Sequence, residues 1–139
     1  MQSDKKRYGI GFDMKIKRVI IRIASFERVM EETADVMKKI KKGQKVTPEK
    51  PMIIFPDVTT LNAVLTSERL RILFTVKRQK PKSINILAKQ LDRKYANVFN
   101  DVKKLEELGL LELHQEKNKT EPSVGYESIQ IQIPLLVKT

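Results

Sequence analysis

The 139-residue sequence contains no cysteine, no tryptophan and a single histidine, His114. Without cysteine there can be no disulfide, thiolate metal site or thiol nucleophile. One imidazole leaves any zinc or iron site to carboxylates and excludes an H-E-x-x-H grouping. The five glycines form no Gly-rich phosphate loop. No apolar run reaches the roughly 18 residues that a membrane-spanning helix needs. The opening M-Q-S-D-K-K-R-Y-G lacks the apolar stretch of a secretory signal, so a cytoplasmic location is expected. Carboxylates are present but not arrayed for catalysis. Glu106 and Glu107 adjoin and diverge on a helix, and Asp101 and Glu112 stand isolated in the sequence. A nuclease would need a metal-binding cluster or an acid–base pair. The expectation is therefore a non-enzyme with no metal and no cofactor.

What the chain has is positive charge. Lys and Arg number 28 against 17 Asp and Glu, a net charge of +11. Such an excess on a short chain favours polyanionic partners, nucleic acid first and an anionic membrane surface second. The charge is uneven. Residues 1–60 and 61–111 each carry +6, whereas residues 112–139 carry −1. Residues 1–15, with Lys5-Lys6-Arg7, read as a soluble lead-in or a nucleic-acid-binding arm.

Val19, Ile21 and Ile23 share one phase, predicting a strand over 17–24. Ser25 then precedes Phe26, Val29, Met30, Thr33, Val36, Met37 and Ile40, spaced by threes and fours. That pattern predicts a long amphipathic helix. Lysines 38, 39, 41 and 42 suit its C-terminus, and Gly43 can take the left-handed stop. Pro48 and Pro51 frame a connector, and Met52–Phe55 is a short apolar run. Asp57, Thr59 or Thr60 can start a short helix. The division falls near residue 60, with residues 1–60 as an extension that dimerises or packs back and 61–139 as the functional domain.

Three helices follow. Thr66 is a good N-cap, and Leu70, Leu73, Phe74 and Val76 mark a buried face on a helix over 66–79. Ser83 caps a shorter helix with Ile84, Leu87, Ala88 and Leu91 inward, and Ala88 is small enough for a close helix crossing. The third runs over 94–108 with Val98, Val102, Leu105 and Leu108 inward and Gly109 at its end. On its outer face stand Asn97 and Asn100. Asn is a mediocre helix former, roughly 0.5 kcal/mol worse than Ala, and it can pair bidentately with adenine in the major groove. Packing explains Phe99, while Tyr95 can pack or reach DNA. Lys94 cannot cap this helix, so Asp92 is the candidate from slightly earlier. Leu111 and Leu113 predict a strand, Lys117–Thr120 a polar turn, and Tyr126–Ile133 its return strand, with Ile129, Ile131 and Ile133 alternating strictly.

This order predicts an α+β fold: a winged helix-turn-helix of three helices and a β-hairpin wing, preceded by the strand and long helix. The stretch Leu87 to Leu111, with L-A-K-Q-L and K-L-E-E-L-G-L-L, resembles the MarR- and ArsR-like winged-helix regulators. It is most similar to a mainly archaeal group described as DNA-binding proteins. That likeness extends over about 61–135 and includes the Leu65–Leu70 start, Asn97-Val98 and the Ile131–Leu135 ending. The resemblance implies sequence-specific binding of double-stranded DNA by a transcriptional regulator. It places helix 94–108 in the major groove and the wing, about 114–126, near the minor groove. Expected base-reading residues are Asn97, Asn100 and Tyr95. Expected phosphate contacts are Arg93, Lys94, Lys103, Lys104, Lys117 and Lys119. A homodimer is expected, and nothing in the sequence points to a particular effector. The competing reading is a protein-interaction module of the same fold, which should expose an apolar patch around Tyr95 and Phe99.

Overall fold

A computed structural model describes residues 18–46 and 52–136. The basic arm expected at Lys5–Arg7 and the connector prolines Pro48 and Pro51 lie outside the described residues. The fold is α+β, and the chain divides into two compact units, one built on Leu65–Ser128 and the other on Val19–Val64 with the chain from Ile129 onward.

The second of these units opens with β1 (Arg18–Ile23), α1 (Phe26–Lys41), β2 (Met52–Phe55) and α2 (Val58–Val64). Val19 and Ile21 bury the phase of β1 that alternation predicted. Strand β2 runs parallel to β1, with Ile21 opposite Ile53 and Ile23 opposite Phe55. Parallel neighbours need a crossover, and α1 is that crossover. Ser25 accepts a hydrogen bond from the Arg28 amide at 3.2 Å and so starts α1. Gly43, at φ +78°, ends it, where a side chain would be strained. Asp57 caps α2 by accepting from the Thr60 amide at 2.7 Å. That bond holds the Asp57 carboxyl below its usual range.

The first unit holds α3 (Ser67–Gln79), α4 (Ile84–Leu91), α5 (Tyr95–Glu107) and the antiparallel hairpin β3 (Glu112–Glu116) and β4 (Lys119–Ser123). Thr66 and Ser83 cap α3 and α4, accepting from the Arg69 and Ile86 amides at 3.2 and 3.1 Å. The core gathers Ile72, Leu73 and Val76 from α3, Ile84, Leu87, Ala88 and Leu91 from α4, and Val98, Val102 and Leu105 from α5. Leu110, Leu111 and Tyr126 close it. Gly109, at φ +82°, lets the chain leave α5 while the Leu110 amide bonds back to the Leu105 carbonyl at 3.0 Å.

Several expectations are corrected. The return strand of the hairpin is Lys119–Ser123, not Tyr126–Ile133. A two-residue loop, Lys117-Asn118, with Lys117 at φ +53°, reverses the chain at once. The alternating segment instead becomes β5 (Ser128–Gln132), and β1 lies between β2 and β5 in their sheet. Period-two alternation identifies a strand without naming its partner. Phe74 is 53% exposed and Ile72 fills the core in its place, because residue 74 lies about 200° around the helix from residue 72. Asp92 does not cap α5. It ends α4 in a left-handed conformation at φ +55°, which Asp tolerates.

Candidate nucleic-acid interface

Helix α5 has two contrasting sides. Val98, Val102 and Leu105 are fully buried. Ala96, Asn97, Asn100, Lys103, Lys104 and Glu107 are exposed. At about 100° per residue, Asn97, Lys104 and Asn100 follow one another around the outer side, with Lys103 beyond. The N-terminus of α5 has no side-chain cap, and Lys94 stands there exposed.

The inward flank of α5 carries a charged group. Asp101 is not isolated. Its carboxylate accepts from Arg69 Nε of α3 at 3.1 Å and from Arg93 Nη2, in the turn between α4 and α5, at 2.9 Å. Arg93 Nε also lies 3.5 Å from Glu68. Arg93, expected at a phosphate, thus has its guanidinium in an internal ion network that ties α5 to α3 and to the preceding turn. Its Nη1 is buried without a hydrogen-bond partner. Nothing in the local pattern announces this network, since Arg69 and Asp101 are 32 residues apart. The available signal is the position of Asp101 beside the inner stripe, where a lone carboxylate needs a cation.

Tyr95 and Phe99 occupy the other flank. Their rings stack with centroids 5.9 Å apart. Phe99 was expected to pack against a neighbouring helix, but it is 37% exposed and Tyr95 is 47% exposed. Lys103 lies next along this stripe, 2.9 Å from Glu106.

The hairpin presents Lys117 and Lys119 at its tip, both exposed. Beside it a cavity of about 510 Å³ lies between Lys82, His114, Lys117, Lys119, Glu116 and Glu121. His114 Nε2 sits 3.1 Å from the Ser123 hydroxyl. Glu112, likewise expected to be isolated, is partly buried, and that desolvation raises its carboxyl above the usual range despite the nearby imidazole. Among the described residues no group of three or more acidic or His side chains could hold a metal ion. Among them, too, no helix is long and apolar enough to cross a membrane.

Two comparisons bear on this region. The family model HVO_A0114 matches residues 64–131, a span that takes in α3, α4, α5 and the hairpin. No curated protein matches the chain.

Proposed function

We propose that residues 65–128 form a winged helix-turn-helix that binds double-stranded DNA as a transcriptional regulator. Helix α5 enters the major groove and the β3–β4 hairpin tip lies along the adjoining backbone. One observation carries the reading: α5 exposes Asn97, Asn100, Lys103 and Lys104 on the side opposite a fully buried apolar stripe. Thirteen Lys and Arg against nine Asp and Glu in 65–128 support it. Asn97 and Asn100 read adenine edges, and Tyr95 contacts a base or its phosphate from the adjacent flank. Lys94, Lys104, Lys117 and Lys119 neutralise phosphates, releasing counterions. Lys103 joins them by exchanging Glu106 for a phosphate, at little cost because the pair is exposed. Arg93 acts from behind, fixing the pose of α5 through Asp101.

The test is titration into selected and mixed-sequence duplexes over a range of salt. Affinity should fall steeply with salt. Lys103→Ala should weaken all duplexes alike and reduce the log–log slope by about 1. Asn97→Ala should relax preference at one position, losing about 1–3 kcal/mol of discrimination there. A flat salt dependence overturns the proposal. The exposed Tyr95–Phe99 stack favours a second reading, a protein-interaction module. Under that reading duplex binding is absent and Phe99→Ala abolishes capture of a protein partner.

A further inference from the structure

Helix α1 carries an apolar seam that its own unit leaves open. Phe26, Met30, Thr33, Met37 and Ile40 are spaced alternately by four and three residues. That heptad spacing keeps one stripe facing a partner helix. None of the residues of α1 is buried. Phe26 is 71% exposed, and Met30, Met37 and Ile40 are 51, 50 and 51% exposed. The helix is fastened elsewhere on its circumference. Arg22 of β1 donates to both oxygens of Glu32 at 2.7 and 2.6 Å. Arg28 bridges to the same carboxylate at 3.3 Å. Residues 28 and 32 lie about 160° and 120° around the helix from the centre line of the seam. The fastening therefore leaves the seam open.

Charge along α1 is sorted by end. Glu27, Glu31, Glu32 and Asp35 occupy its first ten residues, with Arg28. Lys38, Lys39 and Lys41 occupy its last four, and Lys42 follows. Two such helices side by side in parallel would set carboxylates against carboxylates and ammoniums against ammoniums. Side by side in opposite directions, each acidic half meets a lysine half. With the two-fold axis near Thr33 and Ala34, Glu27 and Lys41 border the seam on the same side and fall opposite each other at both ends. A two-fold pair presents the same surface twice, so one sequence suffices for both halves. We infer that α1 is a self-association helix, pairing antiparallel with α1 of a second copy of this chain. The contact is about 24 Å long, as 1.5 Å per residue dictates for this helix, so the dimer is concentration-dependent. It requires no nucleic acid and stands apart from the role of α5.

Sedimentation equilibrium of the full chain from low to high micromolar concentration tests it. The expected result is a reversible shift from the 16.1 kDa chain mass toward twice that value. Met37→Glu should leave a folded monomer, because Met37 contributes nothing to a core; far-UV circular dichroism checks the fold. Glu27→Lys and Lys41→Glu should each weaken self-association about threefold or more. Mixed together, they should form the heterodimer in preference to either homodimer. A chain monomeric at every concentration overturns the inference. So does a dimer indifferent to Met37→Glu, or a mixture with no preference for the heterodimer.

Discussion

Replacing Asp101 with Asn tests the packing of α5 most directly. The carboxylate is shared by Arg69 and Arg93, at 3.1 and 2.9 Å. The three side chains are only 17, 20 and 21% exposed. Removing one partner of a fully buried ion pair costs about 3–5 kcal/mol, because the remaining charge stays desolvated. Here the exposure allows some screening, Arg93 keeps Glu68 nearby, and the Asn oxygen can still accept one hydrogen bond. The expected cost therefore falls below that range, at about 2 kcal/mol. With a slope of about 2 kcal/mol per molar urea, the unfolding midpoint should fall by about 1 M. Far-UV circular dichroism suits the assay, since the chain has no tryptophan. Arg69→Met alone should cost less, because Asp101 retains Arg93. The double variant should then show coupling of about 0.5 kcal/mol or more. Glu106→Gln is the control: its partner Lys103 is exposed, and the loss should stay within about 0.5 kcal/mol. An Asp101→Asn midpoint matching that control would refute the view that this network holds α5 in place.

Tyr126→Phe removes a buried hydroxyl that donates to the Leu110 carbonyl at 2.7 Å, and urea unfolding should register a loss of about 1–2 kcal/mol. Burial raises the Tyr126 phenol well above its usual range, so its stabilising contribution is complete below about pH 10 and fades as pH rises further; ultraviolet titration should show this tyrosine ionising only with unfolding. Lys94→Ser should supply the cap α5 lacks and raise stability by about 1 kcal/mol in thermal unfolding, while lowering duplex affinity and its salt slope. Arg22 hydrogen bonds hold the Glu32 carboxyl below its usual range, so their stabilisation is present above about pH 4.3 and is lost as pH falls; Glu32→Gln should flatten the acid limb of stability against pH.

The helices were readable because their signals are local. Caps at Ser25, Thr66 and Ser83 lie within three residues of the amides they satisfy. The inner faces of α4 and α5 follow from spacing alone. Phe74 misled because size and apolarity mark a residue as core-like without saying where the helix turns it. Strand pairing was less accessible. Nothing in Ile129–Ile133 distinguishes a hairpin return from a partner for β1, more than a hundred residues upstream. The candidate interface was legible as a set of outward residues on α5, but not its supports. Arg69 and Asp101 meet only after α3 and α5 pack, and the Tyr95–Phe99 stack depends on which flank of α5 the neighbours leave uncovered.

Counting cations therefore overstates what is available to a ligand. Arg69 and Arg93 converge on Asp101, and Lys77 donates to the Val124 carbonyl at 3.2 Å. The charge of the two arginines is answered by carboxylates within the fold, and the Lys77 ammonium is tied to a backbone carbonyl. The two arginines suit that role, since a planar guanidinium can meet a carboxylate in a fixed geometry with little hydration to lose. Lys94, Lys104, Lys117 and Lys119 remain outward, as compact hydrated charges on flexible stems. Those four match what a phosphate backbone demands, adjustable point charges rather than a rigid fork. If α5 reads DNA, the division of labour is chemical as well as geometric: arginine sets the angle of the helix, asparagine reads, and lysine attracts. Exchanging Lys104 for Arg should then leave affinity nearly unchanged, whereas exchanging Arg93 for Lys should loosen α5, because one ammonium cannot reproduce two directed contacts.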